Sequence, residues 1–501
     1  MMAEVSIRER VKRPPAPAMI ESYYGPALER AVRHAFDLEL WVHLAHAAML
    51  ERRKIVSSAD VAALRAALLA LHEAGPAALD ADGSAEDLYS YTERHLIRAL
   101  GPEVGGRLHT GRSRNDLHVT TWRMVLRGML LDVLDALGAF RAVVLSQARR
   151  YAATVMPGYT HWQHAQPVTL GYYLLAYADL LGRDFARVAA ALDRTDRCPL
   201  GAGALATTAF PLDRAFVADA LGFAGVMEVA YDAVSSRDDA MEAVASCAVL
   251  ATGLSRLAVD LQAWSTFEYR FIELADQHCA VSSIMPQKKN PAALEHIKAA
   301  AAMITGALTA VLAASKNTAF ADVSDGVTAG NEPAIDAALR TRRILALAAD
   351  VLGAITVFPE RMAEFAAIGY GTATELADVI VRETGLSFRM AHNVVAVVVA
   401  DGIAAGRPAN AIETGELDAA AERLFGRRLG LSAETVRAAL DPAENVRRRT
   451  VTGGPAPENM AAMLTARETA LAGERAAVAA RAAAVAGKRA MAFGTVSAPA
   501  G

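Results

Sequence analysis

The 501-residue chain is 53% apolar and 21% charged, with 51 basic against 55 acidic residues and a formal net charge of −4. That composition supports a large core, excludes wholesale disorder, and offers no electrostatic footprint for nucleic acid or an anionic membrane. At about 150 residues per domain the length allows about three domains. Cys198, Cys247 and Cys279 are widely spaced, odd in number and free of any CxxC. This pattern is neither a disulfide framework nor a zinc site, and it fits a reducing compartment. The opening MMAEVSIRERVKRPP has no apolar signal core, so a soluble cytoplasmic protein is expected. The basic residues are 44 arginines and seven lysines, and two of the seven, Lys288 and Lys289, are adjacent.

In chain order, residues 1–112 read as shorter helices punctuated by Pro and Gly. Five long segments follow, over about 116–151, 170–193, 235–269, 290–316 and 331–355, rich in Ala, Leu, Arg and Glu with proline only at their edges. Within them, Trp122, Leu126, Met129, Val133, Leu137 and Phe140 form one apolar stripe, and Cys247, Leu250, Leu254, Leu257, Leu261 and Trp264 another. Steps of three and four residues are the signature of one buried helix face. Helices of 25–35 residues span about 40–50 Å and need long partners, so a bundle is expected. The stripes exceed what one seam requires, which points to packing between subunits. The uncharged stretch 299–315 is too short and too weakly apolar to be read as a membrane span. From about 360 short helices return, and 464–486 reads as an Ala/Arg/Glu helix before a Gly/Ser/Pro end expected to fray. Strand signals are scarce.

Three stretches break this background. GRLHTGRSRND, residues 106–116, puts Ser113, Arg114 and Asn115 at the start of the first long helix. Free N–H groups and the helix dipole favour an anion there, and Arg114 can grip a carboxylate through two bonds. MPGYTHWQHAQP, residues 156–167, concentrates polar side chains that are costly to bury unpaired. His161 is suited to proton transfer near neutral pH and Thr160 to holding a carboxylate. SSIMPQKKNP, residues 282–291, is a hydroxyl- and ammonium-bearing loop, with Asn290 and Pro291 read as the cap and first residue of the fourth long helix. Each stretch alone also fits a bland reading: an ordinary helix cap, a structural histidine, a solvated basic loop.

Together, in order, the blocks GGRLHTGRSRND, MPGYTHWQHAQPVTLGYYLLAYADLL, PLGAGALATTAFPLDR and SSIMPQKKNP resemble the fumarase/aspartase superfamily, and argininosuccinate lyases most closely. YDAVSSRD, GTATELADVIVRETGLSFRMAH and GGPAP extend the resemblance over roughly residues 20–475. It implies an all-α subunit of three domains: an N-terminal helical domain (1–112), a central bundle of five long helices (113–360) and a small helical C-terminal domain with an Ala-rich tail (361–501). It also implies a homotetramer with a twenty-helix core, in which each site draws its three blocks from three subunits. The implied reaction is reversible elimination of fumarate from a succinyl compound, a small-molecule substrate, without cofactor or metal. By position, Ser282 resembles the general base, Lys288 the lysine that stabilises the aci-carboxylate intermediate, and His161 with Glu295 the histidine–carboxylate pair. Ser113, Arg114, Asn115, Thr160, Ser283 and Asn290 correspond to groups that hold substrate.

The half that should bind arginine departs from the pattern. A block like DIAGSIAHARML becomes residues 39–50 with Glu39 for Asp and His43 for Ser, and YNRDLQEDKEP becomes VSDGVTAGNEP at 323–333. The acid after KKNP is Ala292, and EDIH becomes Glu86-Asp87-Leu88-Tyr89. A site stripped of its polar partners rejects a charged ligand by several kcal/mol. A carbon–nitrogen lyase acting on an N-substituted aspartate with an amine other than arginine is therefore expected, conceptually close to ethylenediamine-disuccinate lyases. Argininosuccinate lyase proper, a C–O lyase or cycloisomerase of the superfamily, and a silent crystallin-like scaffold are the alternatives. Cys279-Ala280-Val281 stands where the family has Ser-Thr-Gly, which stiffens the approach to Ser282.

Overall fold

The computed structural model describes residues 10–11, 13–83 and 85–494. The readings of the first nine and the last seven residues lie outside the described residues, while 487–493 of the end expected to fray continue the last helix. The fold is all-α. The N-terminal part is less fragmented than expected: α1 (Gly25–Arg52), α2 (Ser58–Ala74) and α3 (Leu88–Leu100) carry it. Ser57 and Asp87 cap α2 and α3 by accepting from Asp60 N and Ser90 N, satisfying donors that a helix start leaves free.

The five long helices are α4 (Arg114–Arg150), α5 (Leu170–Thr195), α6 (Asp238–Trp264), α7 (Ala292–Ser315) and α8 (Ser324–Gly353). The last begins at Ser324 instead of near 331 and runs through Pro333. Proline there removes one ladder bond, but burial of Ala334, Ala337 and Ala338 in the bundle holds the helix continuous. Successive helices run in alternating directions. Asp239 at the start of α6 faces Arg123 near the start of α4, whereas Trp264 at its end packs on Tyr173 near the start of α5. Gln147 near the end of α4 donates to Gly353 O at the end of α8. One end of the bundle thus carries residues 113–116, 196–237 and 316–323, and the other carries 151–169, 265–291 and 354–358. With 37 residues, α4 separates those ends by about 55 Å.

Among the described residues three large apolar cores and one small one, of Ala202, Ala233 and Val234, result. The largest fills the bundle, the second lies among α1–α3 and draws in Leu117, Met124, Cys198 and Phe223, and the third lies between residues 376 and 440. A final helix, α9 (Pro457–Phe493), longer than expected, lies along α4. Arg467 binds Asp179, Arg481 binds Asp193 and Asp196, and Arg127 reaches Asp196 from inside the bundle. The forked guanidinium makes such multi-point ties where lysine offers a single charge, which accounts for part of the arginine excess.

Among the described residues, α6 and α7 are long and apolar enough to cross a membrane by length and composition, but only 33% of the apolar window of α7 is buried against 61% for α6. Val249, Val259, Met303 and Leu312 leave apolar side chains exposed on these two helices.

Candidate active site

The first block forms as its residue types dictate. Ser113 is the N-cap of α4, with Asn115 N donating to its Oγ at 3.2 Å and Asp116 closing a capping box onto Ser113 N at 3.0 Å. Asp116 is fully buried and also accepts from Gly201 N and Gly203 N, each at 2.9 Å. Sequence reasoning quoted this aspartate only as the end of the block. The signal was there, since an acid at N3 after a serine cap is the capping-box pattern. Arg114 does not stand open to a ligand on all sides: it binds Glu86 at 2.9 Å and Asp87 at 3.1 Å. Burial works against its charge, and Asp87 and Glu86 outweigh that and raise its pKa. Asn115 Nδ2 donates to Ala204 O at 3.3 Å.

The second block is a β-hairpin that the scarcity of strand signals concealed. β1 (Val155–Thr160) pairs antiparallel with β2 (Gln163–Thr169), and Thr160 opposes Gln163. His161 and Trp162 are the two loop residues, both left-handed with φ of 53° and 60°. Mirror-image turns of this kind favour Asn and Gly, so side chains with this much bulk are held there at a cost of about 1 kcal/mol or more each. The polar residues escape the cost of burial: Thr160, His161, Gln163, His164 and Gln166 are exposed. The hairpin is seated by glycines. A Cβ at Gly369 would lie 1.9 Å from His164 Nδ1, and one at Gly371 would lie 2.1 Å from Ala165 O.

The third block is a second, smaller hairpin. β3 (Ala280–Val281) pairs with β4 (Lys289–Asn290), and residues 282–288 form its loop. Asn290 is therefore not the cap of α7. It sits in the strand pair, its Nδ2 donating to Val281 O at 3.5 Å, and Pro291 occupies the cap position with no side-chain bond. Ser282 Oγ accepts from Met285 N at 3.0 Å, a contact that favours negative charge on that oxygen. Ser283, Lys288 and Glu295 are exposed.

The structure separates the two adjacent lysines. Lys289 binds Glu273 at 2.8 Å and Asp276 at 2.7 Å, and these two carboxylates raise its pKa. Lys288 has no ion pair among the described residues. Val281 and Ile284 are 92% and 81% exposed, so apolar side chains flank Ser282 in open solvent.

The second and third blocks share one end of the bundle, where Tyr159 of the first hairpin meets Tyr269 edge-on. No hydrogen bond or ion pair joins His161 to Glu295 among the described residues. The first block stands at the opposite end, with two groups that sequence reasoning did not single out. Arg237 of the YDAVSSRD stretch binds Asp322 at 2.9 Å, and His118 faces Asp87 at 3.5 Å.

Behind Arg114 the substituted positions cluster. Glu39 and His43 on α1 are 3% and 0% exposed, with Oε1 and Nε2 3.6 Å apart. Arg112 is buried over the Tyr89 ring, and its guanidinium nitrogens, like Glu39 Oε1 and both nitrogens of His43, have no hydrogen-bond partner among the described residues. Burial, reinforced by Asp87 and opposed by Arg112, pushes the Glu39 carboxyl up to about 8. Burial and Arg112 push His43 well down and His109 down to about 4.

Known proteins can now be set beside this geometry. A lyase family model matches residues 21–306, and an argininosuccinate lyase C-terminal model matches 370–447. Argininosuccinate lyase from Methanoculleus marisnigri is 41% identical over 447 residues, covering 87% of this chain and 88% of the relative. This chain belongs to the argininosuccinate lyase-like branch of the fumarase/aspartase superfamily. It is a carbon–nitrogen lyase. Argininosuccinate lyase 1 from Shouchella clausii is 35% identical over 465 residues, 93% of each chain. Among solved structures, EDDS lyase in complex with formate superposes with a TM-score of 0.86 at 34% identity, covering 97% of this chain and 96% of that one. The 3-carboxy-cis,cis-muconate lactonizing enzyme from Pseudomonas putida, at 21% identity and a TM-score of 0.69, shares the fold alone. Among the described residues of this lyase no group of three or more His, Cys, Asp or Glu is arranged to hold a metal ion.

Proposed function

We propose that this lyase reversibly eliminates fumarate from an N-substituted aspartate whose amine is not arginine. Ser282 removes a proton from the carbon next to a carboxylate, giving a doubly charged aci-carboxylate. The C–N bond then breaks, its electron pair leaves with nitrogen, nitrogen gains a proton and fumarate remains. Lys288 and Asn290 neutralise the aci-carboxylate, and His161, oriented by Glu295, handles the second proton. Ser113, Arg114, Asn115, Thr160 and Ser283 hold the succinyl carboxylates. A serine base is demanding at neutral pH and needs positive charge close by; Lys288, free of ion pairs among the described residues, is available for that role.

The observation that carries the reading is the separation of the blocks. Ser113–Asn115 stand about 55 Å from the two hairpins along α4, so no fumarate-sized ligand meets all three within one chain. A homotetramer joined through the exposed faces of α6 and α7 brings blocks of three chains together. We take the domains as 1–112, 113–360 and 361–501, with a separate core at 376–440 supporting the last, although Met460, Leu464 and Leu471 of α9 pack into the bundle core. Covering the exposed apolar residues of α6 and α7 would keep such a tetramer soluble, and we take it to be cytoplasmic. EDDS lyase, whose structures include one with bound fumarate, supports the amine-exchanged chemistry.

The test is to mix the protein with fumarate and a panel of amines and follow fumarate absorbance. It falls with at least one amine, and Ser282→Ala slows it by about a thousandfold or more. Argininosuccinate is the second reading, favoured by the names of relatives at 35–41% identity. Its cleavage at an ordinary enzymatic kcat, about 1–1,000 per second, sinks the amine half of the proposal.

A further inference from the structure

The block PLGAGALATTAFPLDR, residues 199–214, takes no part in the chemistry proposed above. Its first half folds back against the start of α4. Gly201 and Gly203 have left-handed φ of 86° and 63°, which glycine adopts without strain. Both N–H groups thereby point at one atom, Asp116 Oδ2, at 2.9 Å each. The other oxygen, Oδ1, accepts from Ser113 N at 3.0 Å. One fully buried carboxylate thus ties the loop to the cap of α4. Arg214 fastens the start of the loop by donating to Pro199 O and Leu200 O. Thr207 N closes the turn on Ala202 O at 2.7 Å. Thr207 itself has φ of 62°, a conformation that a β-branched residue holds only at a cost. Between these ties Ala204 is exposed, and its carbonyl accepts from Asn115 Nδ2 at 3.3 Å.

We infer that Asp116 is a positioning residue of the lyase: through Gly201 and Gly203 it sets Ala204 O, and Ala204 O sets the edge that the Asn115 amide presents to a substrate carboxylate. The inference rests on the placement of Asn115 in the lyase reading above and adds the group that orients it. Of the two ends of the amide only the N–H end can meet a carbonyl. One N–H of Asn115 is spent on Ala204 O, which fixes the side chain with its second N–H available to a carboxylate. Without a carboxylate at 116 the two glycine N–H groups lose their shared acceptor and Ala204 O leaves its place. The amide then turns freely, and part of the time it offers its oxygen, which repels a carboxylate. Arg114 is held independently of this loop, by Glu86 and Asp87.

The test uses the full-length protein and fumarate alone, with Kd read by titration calorimetry. Asp116→Ala is expected to weaken fumarate by about tenfold or more. Asp116→Asn can turn its Oδ1 to the two loop donors and give up only the bond to Ser113 N, so it is expected to bind within about threefold of the parent. Asn115→Ala weakens binding by itself, and adding Asp116→Ala to it should weaken binding no further, because the residue through which Asp116 acts is gone. A purely structural aspartate would weaken binding equally in both backgrounds. That result, or Asp116→Asn binding as poorly as Asp116→Ala, overturns the inference. Thr207→Gly loosens the same turn without touching α4 and removes its left-handed strain, so it serves where Asp116→Ala does not fold. It is expected to weaken fumarate by about threefold or more in the parent and not in Asn115→Ala; no loss in the parent, or equal loss in both, overturns the inference. A parent that binds no fumarate overturns the lyase reading, and this inference with it.

Discussion

Replacing Glu39 with Gln tests whether a buried carboxyl among the substituted residues of α1 is held protonated by the fold. Glu39 lies against His43, inside a wall completed by Arg112 and Tyr89, at 3% exposure. Burial raises its pKa from 4.5 to about 8, Asp87 adds to the rise and Arg112 opposes it. Between those two values the folded chain keeps a proton that the unfolded chain has released, so stability falls as pH rises through that window. At about 1.4 kcal/mol per pH unit the full gap is worth about 5 kcal/mol. Rearrangement and hydration around the ionised form reduce this to about 2–3 kcal/mol. Gln keeps the shape and cannot ionise. Below the ordinary carboxyl pKa the two proteins should melt alike, and above about pH 8 Glu39→Gln should melt higher. For a chain of this length 1 kcal/mol corresponds to about 1 °C, so the expected gain is about 2–3 °C. Depressed values at His43 and His46 give the opposite trend, with stability lost on acidification below the ordinary histidine pKa of 6.5. Both proteins share that trend, so it cancels in the difference between their scanning-calorimetry curves. Melting curves of parent and variant that stay parallel from acid to alkali would refute the account of Glu39.

Lys288→Met should lower kcat by about a hundredfold or more with an unchanged melting temperature. Lys289→Met should leave kcat within about tenfold while loosening the 280–290 hairpin, seen as faster amide exchange there; equal losses of kcat in the two variants contradict the separation of the lysines. Asp116→Ala strands the buried N–H groups of Gly201 and Gly203 and should destabilise by about 3 kcal/mol or more in urea unfolding. Trp162→Gly relieves a left-handed φ of 60° and should stabilise the chain by about 1 kcal/mol; a loss of stability means that the indole packs where the exposed tip of the hairpin shows no contact.

The sequence determined the helices and the chemistry-bearing blocks because both are local. An apolar stripe at steps of three and four residues gives α4 and α6 without knowledge of their partners, and Ser113 followed by Asp116 specifies a helix start wherever it occurs. It did not reveal the 155–169 hairpin, whose loop residues His161 and Trp162 have no intrinsic preference for positive φ and are held there by the strands and by the close approach of Gly369 and Gly371. Nor could it separate Lys288 from Lys289, because the carboxylates of Glu273 and Asp276 reach the second lysine only once the chain has folded back. Asn290, an apt cap by residue type, became a strand residue because Val281 pairs with its neighbour. The electrostatic state of Glu39 and the saturation of the acids around Arg114 are likewise long-range facts. They depend on α1, α3 and the start of α4 meeting in one buried corner, where desolvation and through-space charge decide protonation and sequence neighbours do not.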